Sequence, residues 1–239
     1  MIAGSGMTDH FGPSDRRTVK TRFGEVVLFS ARDGAYYLLP RHGVDHRVAP
    51  QEVNYRANIA ALLELKVDKI IATSAVGSIN EGFGVGEVGL VDQFIDFTSD
   101  RPKTFFSSGV VHTDMTYPYD SKLNSVILAA ARGAGIRVHP GLVYVSLDGP
   151  RFETAAEVKM LRTLGGDVVG MTGVPEVVFA RETGISYASI VVATNLGAGM
   201  QAKVTHSEVL KVMKEAGASV KLLVDRSAHI LAGRSGPRS

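Results

Sequence analysis

The chain has 239 residues, 45% of them apolar and 21% charged, a composition that supports one sizeable globular core. Its 26 Lys and Arg against 24 Asp and Glu leave a formal charge of +2, so charge gives no reason to expect nucleic acid or an anionic membrane as partner. The absence of cysteine excludes a disulfide framework, a thiolate nucleophile and a cysteine-ligated metal.

Short apolar runs alternate with segments of helical period, the pattern of a single α/β domain with a mixed central β-sheet flanked by helices. That domain is expected over residues 1–231. The opening residues carry neither a basic region nor a long apolar stretch and do not read as a secretory signal. In Ala3-Gly4-Ser5-Gly6-Met7, Asp9 stands where a dinucleotide fingerprint needs its third glycine. The segment reads either as a plain tight turn or as one that aims backbone N–H groups and a hydroxyl at an oxyanion. A strand is expected at Val26–Ser30. The strand-like run Tyr37-Leu38-Leu39-Pro40 then delivers Arg41 and His42 at its end, and an arginine fork matches phosphate oxygens. His42 and His46 are four apart, but Gly43 stands where a zinc protease has its Glu and no third ligand is evident, so no metal is expected.

A helix is expected from Asn54 to Leu65 and a strand at Lys69–Ser74, followed by the small residues Ala75-Val76-Gly77-Ser78 that let a ligand approach the backbone. Further strands are expected at Val88–Asp92, Gly141–Ser146, Val168–Met171 and Tyr187–Thr194. The segment from Thr98 to Pro118 is longer than packing requires, as is that from Asn195 to Val204, and such loops commonly carry function. Glu153 lies just before a helix that opens with Thr154 and Glu157 in capping-box spacing. Thr205 and Glu208 repeat the box at the start of the last helix, whose Val209, Val212, Met213, Ala216, Val220 and Leu223 keep helical spacing. The small, polar, basic residues 232–239 are expected to be disordered. No apolar run approaches a membrane span, and the cytoplasm is the expected compartment.

Each polar segment has a bland explanation of its own, as a turn, a surface ion pair or a helix-dipole complement. Their shared position at the ends of apolar strands is less easily accidental. In order they read AGSGM at 3–7, RHGVDH at 41–46, VNYRANI at 53–59, TSAVGSINEG at 73–82, DQFIDFT at 92–98, DGPRFET at 148–154, MTGVPEVVFARE at 171–182 and TN at 194–195. Together they resemble the trimeric purine nucleoside phosphorylase and methylthioadenosine phosphorylase family through nearly the whole chain.

The resemblance implies a phosphate pocket of Ser5, Arg41, His42, Ser74, the backbone N–H of Ala75, and Thr172. It places Met171 under the ribose, Tyr144 in the sugar pocket and Phe152 against the base. Glu153 and Asn195 become the base readers, and with His42 the catalytic groups. A 6-oxopurine presents a ring N–H and a carbonyl, which suit a carboxylate acceptor and an amide donor, and the adenine-specific branch differs at both positions. Inosine and guanosine are therefore the expected substrates, cleaved with inorganic phosphate as co-substrate to free base and ribose 1-phosphate, without organic cofactor. His206 matches the residue that holds a 5′-hydroxyl. The RHG wording and His112, which by family analogy reaches a neighbouring subunit's pocket, resemble the methylthio branch and keep S-methyl-5′-thioinosine and S-methyl-5′-thioadenosine as alternatives. A non-catalytic nucleoside-binding protein, or a hydrolase using water, is the alternative of a different class. The expected assembly is a homotrimer, or a hexamer formed as a dimer of trimers.

Overall fold

The apolar run at residues 190–193 becomes the centre of a strand buried on both faces. In the computed structural model, which describes residues 1–10, 15–31 and 34–233, residues 187, 191 and 193 of strand Ser186–Leu196 enter one core cluster, and residues 188, 190 and 192 enter another. Side chains alternate with period two, so a strand with core on both sides must be apolar throughout.

The described residues form nine strands, β1 (Ile2–Ala3), β2 (Asp15–Thr21), β3 (Gly24–Ser30), β4 (Tyr37–Pro40), β5 (Lys69–Ser78), β6 (Val88–Asp96), β7 (Val138–Ser146), β8 (Val168–Gly170) and β9 (Ser186–Leu196). Their order is β2-β3-β4-β1-β5-β8-β7-β6-β9, and β9 pairs back onto β5, which closes five strands into a ring. The sheet is mixed: β5–β9, β6–β7 and β7–β8 are parallel, while β5–β8 and β6–β9 are antiparallel. Five helices cover it. Helices α1 (Tyr55–Glu64) and α4 (Gly173–Glu182) supply Ile59, Leu62, Val177 and Phe179 to one cluster. Helices α2 (Ser121–Ala134) and α5 (His206–Leu231) supply Leu123, Ile127, Met213 and Leu223 to the other, and α3 (Ala155–Thr163) closes a third with Val158 and Leu161.

All six expected strands are present, and β5 runs four residues past its expected end. Its small residues Ser74 to Ser78 stay in the strand because they pair with Val191 to Leu196 of β9. The three expected helices begin where their caps dictate. Thr154 Oγ1 accepts from Glu157 N at 3.2 Å while Glu157 Oε2 accepts from Thr154 N at 2.7 Å, and Thr205 and Glu208 repeat the exchange at 3.4 and 3.1 Å. Residues 98–118 are irregular, as expected. The structure adds β1, the exposed and polar β2, and helices α2 and α4 to the expected elements. Of the expected disordered tail, residues 232–233 form a turn after α5 and the remainder lies outside the described residues. No helix among the described residues is long and apolar enough to cross a membrane.

Thr205→Ala removes one half of the α5 cap and is expected to destabilise the protein by about 1 kcal/mol. A lowered urea midpoint at unchanged m-value checks this.

Candidate active site

The parallel strands β1, β4 and β5 end on the same side of the sheet, where chain exits leave backbone groups free to meet a ligand. There a cavity of about 320 Å³ opens, within the range of small-molecule sites. Its wall includes Ser5, Arg41, His42, Ser74, Ala75 and Thr172 on the expected phosphate side. Phe152, Glu153, Met171, Asn195 and His206 line it as well. Eleven of the thirteen residues singled out from sequence thus surround one space. Tyr144 and His112 do not.

Tyr144, expected beside the sugar, is instead buried beneath the wall. Its hydroxyl accepts from the backbone N–H groups of Thr172 and Gly173, both at 3.2 Å, and so holds the turn that carries Thr172. Glycine at position 170 makes this possible, since a Cβ there would lie 2.2 Å from the Tyr144 hydroxyl. Burial pushes the phenol pKa up and keeps it neutral. His112 is exposed on the loop between β6 and α2, away from the cavity of its own chain.

The arginine fork is not free for a ligand. Arg41 Nε and Nη2 each donate to Glu176 at 2.7 Å, and Nη1 donates to the Thr73 carbonyl at 2.8 Å. Both side chains of the pair are wholly buried. Burial opposes the guanidinium charge, but the adjacent carboxylate outweighs it and holds the group firmly protonated. Two of its five N–H donors are left, so Arg41 adds a single N–H direction or two to the wall and little net charge. Glu176 also accepts from the Tyr187 hydroxyl at 2.7 Å. Glu176 has no role among the sequence expectations, although a carboxylate inside the apolar stretch 174–180 demands a buried cation.

The remaining anion donors are neutral. Ser74 Oγ is buried and has no hydrogen-bond partner among the described residues. His42 lies with its Nδ1 2.8 Å from the Val48 carbonyl. A carbonyl only accepts, so Nδ1 carries the proton and Nε2 is left as the ring's acceptor. Burial, reinforced by Arg41, lowers the His42 pKa from 6.5 to about 4. His46, considered from sequence only as a metal ligand, lines the same cavity, its ring centroid 5.1 Å from that of His42. Arg47, not among the residues expected from sequence, lines the cavity too.

A register shift between β5 and β9 aims Asn195. Val76 pairs with Ala193 and Gly77 with Asn195, so Thr194 is the extra residue of a bulge. Bulges re-aim side chains beside functional sites. The Thr194 hydroxyl sits 3.2 Å from the Val76 carbonyl and 3.0 Å from Asn195 Oδ1, and Asn195 Nδ2 donates to the Leu196 carbonyl at 2.9 Å. Because that carbonyl only accepts, the amide orientation follows, with one N–H and one lone pair left over. Gly77 leaves the space, since a Cβ there would lie 3.1 Å from Nδ2. Glu153, buried nearby in the same wall, has its carboxyl pKa raised by desolvation.

A histidine whose folded pKa is depressed contributes its full stability above 6.5 and loses it as the pH falls towards about 4, where the unfolded chain has already taken up the proton. The difference in unfolding free energy between wild type and His42→Gln is expected to shrink by roughly 3 kcal/mol across that window. Urea titrations of both proteins at steps between pH 7.5 and 4 check it, and parallel curves would remove the buried neutral ring from the account.

Comparison with known proteins agrees with this geometry. Residues 7–229 match the Phosphorylase superfamily. The 6-oxopurine nucleoside phosphorylase of Pyrococcus furiosus is 44% identical over 236 residues, covering 94% of this chain and 89% of that protein. A protein of Methanopyrus kandleri named as a probable S-methyl-5′-thioinosine phosphorylase is also 44% identical, over 95% of this chain and 90% of its own length. Among solved structures, the methylthioadenosine phosphorylase of Schistosoma mansoni in complex with adenine superposes with a TM-score of 0.92 at 32% identity, covering 98% of this chain and 91% of that one. On sequence and fold, the chain belongs to the Phosphorylase superfamily.

Proposed function

We propose that the chain is a purine nucleoside phosphorylase that cleaves 6-oxopurine nucleosides, inosine and guanosine, with inorganic phosphate to free base and ribose 1-phosphate. The observation that carries this reading is a single cavity lined by two chemically unlike sets of groups: the hydroxyls of Ser5, Ser74 and Thr172 with His42 and the edge of Arg41, and Glu153 with the re-aimed Asn195. An oxyanion suits the first, and a lactam-form purine suits the second. The sugar lies between them, beside Met171 and His206.

In the proposed reaction the glycosidic bond breaks through an oxocarbenium-like sugar, and phosphate attacks C1′. Asn195 donates to the developing charge on the purine, and Glu153 accepts from the ring N–H. His42, neutral with a bare Nε2, accepts a hydrogen bond from the P–OH of monohydrogen phosphate and leaves its charged oxygens to the hydroxyl donors; the new C1′–O bond forms as the C1′–N bond breaks, and the departing purine anion takes its proton from solvent. Positioning and electrostatic stabilisation supply the rate acceleration without metal or organic cofactor. The relatives named for methylthio nucleosides favour a second reading, in which S-methyl-5′-thioinosine is a substrate. His206 is the discriminating group, since an imidazole at the sugar's 5′ end suits a hydroxyl better than a thioether.

The proposed assembly is a cytoplasmic homotrimer, or a dimer of trimers. Val110 and Val111 are 81% and 51% exposed beside His112, an apolar loop suited to lie against a neighbour's cavity.

Sugar 1-phosphate formed from inosine only when phosphate is present supports the reading, and ribose formed in its absence overturns it. Because Ser74 Oγ is unpartnered, Ser74→Ala is expected to raise the apparent KM for phosphate about tenfold while leaving the urea midpoint in place. Steady-state kinetics with varied phosphate check this. Asn195→Asp is expected to lower the inosine-to-adenosine ratio of kcat/KM by at least about tenfold, measured by base release from both nucleosides.

A further inference from the structure

Arg101 lies in the irregular segment after β6, is 5% exposed and is not part of the cavity wall. Its guanidinium nevertheless touches one segment from each of the two sets of lining groups. Nη1 donates to the Val174 carbonyl at 2.6 Å, and Nη2 donates to the Asp148 carbonyl at 3.0 Å and lies 3.4 Å from that of Leu147. Nε lies 3.4 Å from Asp148 Oδ1. Val174 closes the turn begun by Met171 and Thr172, and Asp148 opens the segment that runs through Phe152 to Glu153. One planar cation thus ties the segment that carries Thr172 to the segment that carries Glu153.

The surroundings hold that cation in place. Its central carbon is 5.5 Å from the Tyr55 ring centroid, and Tyr55 Oη is 3.3 Å from Nη1. Asp148 Oδ2 accepts from Ser99 N and Ser99 Oγ at 2.9 and 2.8 Å, which fixes the acid facing Arg101. A lysine offers its donors from one point and cannot reach carbonyls on two segments at once, whereas the guanidinium fork spans them.

We propose that Arg101 is a positioning residue that sets the separation between the Thr172 turn and the Glu153 segment, and hence between attacking phosphate and departing base. The proposal rests on the phosphorylase reading above. Loss of this tie loosens the reacting geometry without removing any group that binds either substrate, and misplacement by about 1 Å costs on the order of 100-fold in rate.

The test compares wild type, Arg101→Met, Arg101→Lys and Ser99→Ala in phosphorolysis of inosine, with urea midpoints measured in parallel. Arg101→Met is expected to lower kcat about 100-fold per folded enzyme, with the KM for phosphate within about threefold of wild type. Arg101→Lys is expected to recover less than tenfold of that loss. Ser99→Ala, which removes the hydroxyl bond to Asp148 while keeping the backbone N–H bond and the guanidinium, is expected to lower kcat several-fold with unchanged KM values. A wild-type kcat in folded Arg101→Met, or a loss accounted for by the unfolded fraction alone, overturns the proposal. If Arg101→Met does not fold, Ser99→Ala decides, and a wild-type kcat there overturns the proposal too. Absence of phosphate-dependent product from the wild type overturns the phosphorylase reading instead, so the two failures are distinguished.

Discussion

The buried pair of Arg41 and Glu176 is the interaction on which the cavity depends. Taking two charges out of water costs several kcal/mol each, and the loss is offset only where the geometry is saturated. Here it is nearly so: a two-bond fork between the side chains, the Thr73 carbonyl on the third guanidinium donor, and the Tyr187 hydroxyl on the carboxylate. Five elements meet through these few atoms. Arg41 leaves β4, Thr73 lies in β5, Glu176 in α4 and Tyr187 in β9, while Gly4, just after β1, donates its N–H to Thr73 Oγ1 at 3.0 Å. No side chain fits at Gly4, where a Cβ would come 2.4 Å from the Thr73 carbonyl. The turn of Ser5 is thereby pressed against the same network.

An electrostatic consequence follows. With the guanidinium charge of Arg41 matched by Glu176 and the His42 ring held neutral, the groups proposed to receive phosphate act mostly as dipoles, with Arg47 the further cation on the cavity lining. Fixed hydroxyls and N–H groups in a partly desolvated cavity stabilise charge without reorganising as it moves. The groups proposed to read the base carry the complementary strain: Glu153 is a carboxyl whose ionised form burial disfavours, so a ring N–H offered to it meets an acceptor short of solvent. Neither set is rigid alone. Tyr144 props the Thr172 turn from beneath, the β9 bulge fixes the angle of Asn195, and Arg101 ties the Thr172 segment to that of Glu153.

Much of the fold could be read from neighbours in sequence. The capping exchanges at Thr154 and Thr205 involve partners three residues apart, and the apolar runs of β5 and β9 announce strands buried on both sides. Helix α2 has an Asp120 cap and left-handed Gly135 at its two ends, also local signals, and its existence was within reach. The polar strand β2 was not, since seven residues reading DRRTVKT offer only Val19 to the core and are held by pairing to β3. The site divides in the same way. Strand-end position identified Ser5, His42, Ser74, Thr172 and Asn195, and a place just before a capped helix identified Glu153, because both are local properties of the sequence.

Sequence by itself determined the α/β alternation, the starts of three helices, the family resemblance and eleven of the residues that gather around the cavity. Tertiary structure alone decided what those residues are free to do. Arg41 spends its fork on a partner 135 positions away, Tyr144 spends its hydroxyl 28 positions away and lies under the wall, and Arg101 reaches a carbonyl 73 positions on. Hydrogen-bonding capacity is finite and is consumed by whichever group the fold brings within about 3 Å. A motif therefore reveals which donors and acceptors a site contains, and only the packed chain reveals which of them remain open.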